Sequence, residues 1–185
     1  MNIDPTLYTG RPAEPREPVE QRCYDFLDSL GVTYRRVDHE RAETIALCEQ
    51  VEEVLCCKIC KNLFLTNRQQ TDFYLLLMPG EKPFKTKLLS KQIGSARLSF
   101  ASPAQMQELL GVTPGSVSVL GLMNDRERRV RLLIDSDLRE EADFGCHPCH
   151  NSSSLRLSTA DLLGRILPAL GYTPTWVELP WTIEE

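Results

Sequence analysis

The sequence predicts one α/β or α+β domain, a mixed sheet flanked by helices. Three observations carry this expectation. Segments of helical period are interleaved with segments of period two, two of the latter are joined by a short turn, and no internal repeat divides the 185 residues. A chain of this length can bury about 70% of its unfolded surface around one core, so no second domain is required.

Residues 1–18 contain Pro5, Pro12, Pro15 and Pro18 and are expected to form an extended arm, followed by a domain over 19–180 and a tail over 181–185. Pro18 suits the first turn of a helix in which Val19, Cys23, Phe26, Leu27 and Leu30 recur at helical spacing until Gly31. A strand over 32–38 follows, then a helix over 43–55 carrying Ile45, Leu47, Cys48, Val51 and Val54. The run 59–66 reads as a buried strand that pairs, through the turn Asn67-Arg68-Gln69-Gln70, with the apolar run 73–78. Pro79-Gly80 leads to a helix over 85–93, a short strand over 97–100, and a helix over 103–110 closed by Gly111. Val112-Thr113-Pro114-Gly115-Ser116 is a turn sequence before the apolar residues 117–123, and Asn124-Asp125 turns into a strand over 129–134. Gly145 to Asn151 reads as a polar loop; strand 154–158, helix 159–170 and strand 175–179 complete the domain.

Composition narrows the function classes. Hydrophobic residues at 42% and charged residues at 25% are ordinary globular values, and no apolar run approaches the ~18 residues that span a bilayer. The N-terminus has neither a basic nor an apolar signal region, which predicts a cytoplasmic protein with no membrane partner. Seven cysteines, an odd number, fit reduced thiols better than a disulfide framework. The net charge of −5 argues against a polyanionic partner, but from Lys82 to Arg97 there are five basic residues and no acidic one. Lys85, Lys87, Lys91 and Arg97 are therefore candidates for a phosphate-facing rim.

Lys61 is the first candidate for chemistry. On a period-two strand it shares a face with Leu63 and Leu65, and a cation among such residues is expected to face a cleft. Cys57-x-x-Cys60 and Cys146-x-x-Cys149, the latter beside His147 and His150, have zinc-ligand spacing, but the pairs lie far apart in the chain and free thiols are preferred. No nucleophile elbow, Walker loop or dinucleotide fingerprint is present. What remains is a lysine, a glycine turn at Pro114-Gly115-Ser116 and His147-Pro148 in a polar loop. Together they suit attack of water on an activated ester, with turn amides stabilising the oxyanion and a cation holding a phosphate or hydroxyl.

Cys60-Lys61-Asn62-Leu63-Phe64-Leu65, Arg97-Leu98-Ser99-Phe100, Gly111-Val112-Thr113-Pro114-Gly115-Ser116-Val117-Ser118, Asn124-Asp125 and His147-Pro148-x-x-Asn151 occur in one order. In that order they resemble the YbaK / prolyl-tRNA synthetase associated editing-domain family, in its freestanding PrdX or ProXp-ala branch. The resemblance spans residues 19–179. It implies a mixed, mostly antiparallel, partly barrel-like sheet flanked by helices, with no metal or other cofactor. It implies a trans-acting deacylase that hydrolyses the ester of mischarged tRNA(Pro), Ala-tRNA(Pro) foremost. Partners would be the tRNA acceptor end and prolyl-tRNA synthetase, with no role for DNA. The alternatives are a deacylase for Cys or Ser on tRNA, a non-catalytic tRNA-binding relative, and a zinc protein using Cys57, Cys60, Cys146 and Cys149.

On the family pattern Lys61 is the central catalytic lysine, which binds the terminal adenosine and orients the ester. Gly115 lies in the loop whose backbone surrounds the aminoacyl carbonyl, and His147 acts with them. Thr44, Asn62, Ser116, Val117, Asn124 and Asn151 bind substrate, with walls expected from residues 44–47 and 147–151. The family loop reads Gly-x-x-x-Pro, and here Val119 stands where the proline belongs, which loosens the backbone restraint on the loop. An editor of this kind answers a physical limit. A prolyl-activating site gains only about 1–3 kcal/mol per methylene of discrimination, so a second pocket must remove the smaller amino acid.

Overall fold

The computed structural model describes residues 3–184 as helices packed on two sheets; Met1, Asn2 and Glu185, at the ends of the expected arm and tail, lie outside the described residues. Helices are α1 (Pro18–Ser29), α2 (Ile45–Leu55), α3 (Thr86–Ile93), α4 (Pro103–Leu110) and α5 (159–170). Strands are β1 (Tyr8–Thr9), β2 (Arg35–Asp38), β3 (Lys61–Asn67), β4 (Phe73–Met78), β5 (Leu98–Phe100), β6 (Val130–Asp135), β7 (Asp143–Cys146), β8 (Ser153–Ser158) and β9 (Thr175–Val177).

Local signals explain most boundaries. Pro18 opens α1; Ser102 and Gln105 cap α4 reciprocally, Pro103 sits in its first turn, and Gly111 ends it in the left-handed region. Gly94 ends α3 the same way, whereas α2 ends on Cys56, a non-glycine residue at φ 56°. Helix α5 passes through a π-helical turn at Leu162–Ile166 just before Pro168, which has no N–H to offer the ladder.

The expected mixed, mostly antiparallel strands, flanked by helices, are divided between two sheets that form no closed barrel. One has the order β5-β3-β4-β6-β9, antiparallel around β3 and parallel where β4 meets β6 and β6 meets β9. The other, β1-β2-β8-β7, is antiparallel throughout. They meet at the parallel bridge between Ile59 and Gly145, where Cys60 N donates to Gly145 O at 3.0 Å and Gly145 N to Lys58 O at 2.8 Å. A Cβ on Gly145 would stand 3.1 Å from Ile59 Cα and 3.2 Å from Lys58 O, so the close approach favours glycine. Asp143–Cys146 is thus a strand and not part of the expected polar loop, and the residues after Ser118 form a 3₁₀ turn, Val119–Asn124.

Every residue of β4 is buried, as befits a central strand covered on both faces. Phe73, Leu75 and Leu77 face the main core with Phe64 of β3; Tyr74, Leu76 and Met78 face a second core with Leu65, Leu89 and Leu98. Cys60, Asn62 and Phe64 look one way from β3, and Lys61, Leu63 and Leu65 the other.

The N-terminal segment is docked on the domain. Tyr8 and Thr9 pair with Arg36 and Arg35, the Arg36 guanidinium covers the Tyr8 ring at 4.6 Å, and Arg11 bonds Asp25 of α1 at 2.7 Å. The tail docks as well: Trp181 Nε1 donates to Asp137 at 2.8 Å.

Candidate active site

A cavity of about 270 Å³ opens between the end of β3, the turn before the 3₁₀ segment, and β7. Its lining is Ile59, Cys60, Asn62, Leu63, Phe64, Phe100, Met106, Gly115, Val117, Cys146 and His147. The glycine turn and the imidazole expected to meet do so here.

Gly115 sits at φ +83°, a conformation that L side chains adopt at a cost. A Cβ there would lie 3.6 Å from Asn151 Nδ2 and 3.7 Å from Arg41 Nη2, ordinary contacts, so backbone strain and not crowding is what demands glycine. The loop beyond it is held from two sides. Ser116 N donates to Thr113 O, and the buried Ser116 Oγ accepts from Asn151 N at 3.2 Å. Asn62 Oδ1 accepts from Val119 N at 3.0 Å, the position where the family has proline. Between these anchors the amides of Val117 and Ser118 meet no protein acceptor among the described residues. Val117 is half-buried in the cavity wall and Ser118 beside it is buried, so two neighbouring amides without a protein acceptor could donate to a developing oxyanion.

His147 Nδ1 lies 2.9 Å from Ser153 O. A carbonyl can only accept, so Nδ1 carries the proton and Nε2 keeps its lone pair. Burial lowers the His147 pKa to about 4, partly opposed by the Ser153 contact, and the ring is neutral at pH 7. His39, with its ring centroid 6.0 Å away, bonds Ser154 Oγ at 2.9 Å, and that hydroxyl lies 3.4 Å from His147 Nδ1. Ser153 Oγ in turn donates to Asp38 at 2.7 Å and lies 3.2 Å from the buried Glu20 carboxyl. The imidazole is therefore positioned by a network anchored in α1 and β2. Cys60 and Cys146 also line the cavity, but burial raises both thiol pKa values, so neither supplies a thiolate nucleophile.

Other expected site residues divide sharply. Asn151, 3% exposed, ties Ala42 to the glycine loop by accepting from Ala42 N at 3.1 Å. Thr44 does not line the cavity: it is the exposed N-cap of α2, its Oγ1 accepting from Leu47 N at 3.2 Å. Asn124 is also structural, donating to Leu110 O at 2.8 Å at the end of α4. Lys61 is placed differently from the other candidates. Its Nζ donates to Lys82 O, on the second-core face of β3, and it does not line the cavity although Cys60 and Asn62 on either side of it do. Desolvation lowers its pKa. Its parity on the strand was readable from sequence, but not that Leu63 of the same face reaches the cavity and Lys61 does not.

Lys85, Lys87, Lys91 and Arg97 are exposed on and after α3. Lys82 is not part of that rim: it is 1% exposed, with Nζ 2.8 Å from both Asp135 and Asp137. Residues that sequence reasoning missed are Phe100 and Met106 in the cavity wall and Arg41, which donates to Pro114 O at 3.1 Å. Phe100 closes a motif already noted; Arg41 carried no signal in pattern or spacing. Among the described residues no group of three or more His, Cys, Asp or Glu side chains is placed to hold a metal ion.

The family model for the aminoacyl-tRNA editing domain matches residues 39–164. The chain is 34% identical over 153 residues to the prolyl-tRNA editing protein ProX of Acetoanaerobium sticklandii, covering 83% of this chain and 93% of that protein. It is 26% identical over 162 residues to the multifunctional Ser/Thr-tRNA deacylase ProXp-y of Escherichia coli K12, covering 81% of this chain and 89% of that protein. A crystal structure described as a proposed trans-editing enzyme for prolyl-tRNA synthetase superimposes with a TM-score of 0.66 at 17% identity, covering 90% of this chain and all of that one, a likeness of fold.

Proposed function

We propose that this chain, which belongs to the aminoacyl-tRNA editing-domain family, is a trans-acting deacylase that hydrolyses the ester of mischarged tRNA(Pro), with Ala-tRNA(Pro) as its main substrate. The observation that carries the reading is the pair of unpartnered amides at Val117 and Ser118, beside Gly115, at a cavity that also presents a neutral imidazole. Ester hydrolysis places negative charge on the former carbonyl oxygen, and these amides are fixed before that charge appears. The imidazole orients water or substrate through Nε2 without a charge that would compete for the oxyanion. No protein nucleophile is needed, because the attacking group is water.

The cavity's size supports a small aminoacyl group. At about 270 Å³ it is below the ~300–1,000 Å³ usual for small-molecule sites. Ile59, Cys60, Phe64 and Met106 give it apolar walls, which favour alanine over serine. Lys61 is proposed to act from the rim: an ammonium has three donors, one is spent on Lys82 O, and its stem allows the others to meet the terminal ribose of a docked substrate. The exposed cations of α3 and Arg97 would hold the acceptor-stem phosphates. Prolyl-tRNA synthetase, which produces the mischarged tRNA, is the proposed partner, and the cytoplasm the proposed compartment. No helix among the described residues is long and apolar enough to cross a membrane.

A deacylation panel with Ala-, Ser-, Cys- and Pro-charged tRNA(Pro) tests the reading. Fast release of alanine, slower release of serine and cysteine, and retention of proline are expected. Binding without release of any amino acid would leave only a tRNA-binding relative.

A further inference from the structure

Three large hydrophobic side chains are conspicuously exposed among the described residues: Ile45 at 81%, Phe100 at 59% and Trp181 at 53%. Two have roles or positions unrelated to the cavity. The Trp181 indole donates to Asp137 and stands over Lys82 Nζ at 5.0 Å, and Ile45 begins α2 without lining the cavity. Phe100 lines the same cavity as Gly115 and His147, yet leaves more than half its surface in water.

Its position is rigid. Phe100 ends β5 and pairs with Leu65 of β3, and the next residue, Ala101, donates to Phe64 O at 2.9 Å. The ring meets Phe84 edge-on, with centroids 6.3 Å apart and planes at 66°. An edge contact fixes a ring and leaves its faces available. Around it the chain from Phe84 to Phe100 is basic, with Lys85, Lys87 and Arg97 exposed and no acidic residue. An aromatic face on a rigid strand end, flanked by cations and continuous with a reaction cavity, is how proteins hold an unpaired nucleotide: the cations follow the backbone and the ring takes the base.

We propose that Phe100 is the stacking platform for the terminal adenine of the tRNA acceptor end, steadied by Phe84, so that the ester on the adjoining ribose enters the cavity toward Gly115. This rests on the deacylase reading for the identity of the ester, but not for the binding of the base. Stacking needs a π face and not merely volume, so leucine and tryptophan at this position have opposite effects.

The test measures binding of the trinucleotide CCA and of its 3′-abasic counterpart to the parent, Phe100→Leu and Phe100→Trp by NMR titration, beside steady-state deacylation of Ala-tRNA(Pro). The parent and Phe100→Trp should bind CCA about tenfold more tightly than the abasic form, and Phe100→Leu should bind both alike. In deacylation, Phe100→Leu should raise KM about tenfold with kcat within about twofold of the parent. Equal binding of the two trinucleotides by the parent, or an undiminished preference in Phe100→Leu, overturns the platform even where deacylation is fast. A preference that Phe100→Leu abolishes, in a chain that releases no amino acid, keeps the platform and removes the deacylase.

Discussion

At the scale of single residues, two side chains separate what holds the site from what reacts in it. The His147 ring is kept neutral by burial, with a pKa of about 4 against about 6.5 in an unfolded chain. The unfolded chain therefore takes up this proton first, so the stability contributed by the neutral ring is complete above about pH 6.5 and is lost as pH falls toward 4. The pH profile of kcat/KM should show no inflection from this group between about pH 5.5 and about 8. An inflection near 6.5 that vanishes in His147→Gln would contradict the neutral imidazole. Lys61 is the opposite case, a cation that meets no counter-charge among the described residues and donates to Lys82 O. Lys61→Ala should lower kcat/KM for Ala-tRNA(Pro) at least tenfold, roughly the cost of one charged contact in a transition state, with the fold retained by circular dichroism. A rate within twofold of the parent would take this lysine out of the reaction. The residues of the site were largely legible: the glycine turn, the imidazole, Asn62 and Asn151 meet at or beside one cavity. Thr44 and Asn124 were not separable by pattern, since a Thr that caps a helix and an Asn that ties down a helix end are the same residue types as substrate ligands.

At the scale of elements, helix ends and central strands were readable because their causes are local. Pro18, Pro103, Gly94 and Gly111 set backbone angles by themselves, and an unbroken apolar run such as β4 has no stable alternative to burial. β1 and β7 were missed because they are short and owe their strand character to a distant partner, β2 for one and β8 for the other. The segment after β4 shows the same dependence in charge. Lys82 read as one cation of a basic run, and the fold instead draws it inward to Asp135 and Asp137. Asp135 is 0% exposed, so Lys82→Ala would leave a buried carboxylate without its partner. That change should destabilise the protein by about 3–5 kcal/mol in urea unfolding, and Lys82→Met combined with Asp135→Leu should recover most of the loss. A single-variant loss below about 1 kcal/mol would mean that water reaches the pair.

At the scale of the whole molecule, an acidic protein presents a basic edge. Asp135 and Asp137 are occupied by Lys82 and Asp143 by Arg156, while Lys85, Lys87, Lys91 and Arg97 stay exposed near the Phe100 side of the cavity. Binding of tRNA should weaken steeply with salt, and Lys87→Ala and Arg97→Ala should each lower the slope of log K against log salt by about 0.7–0.9 without changing which amino acid is released. Unchanged slopes would place the acceptor stem elsewhere. The sequence by itself determined the chemistry on offer: a lysine, a glycine turn, an imidazole and two asparagines, in an order that matches a family of editing domains. Those are matters of residue type and short spacing, which local sterics and ordered motifs carry. Only the tertiary structure decided that the strands divide into two sheets joined at Ile59 and Gly145, that Asn62 and Leu63 of β3 both reach the cavity wall, and that the Lys61 ammonium is turned to Lys82 O. A period of two divides a strand's side chains into two sets, but what covers each set depends on chain segments far away in sequence, and packing alone assigns them.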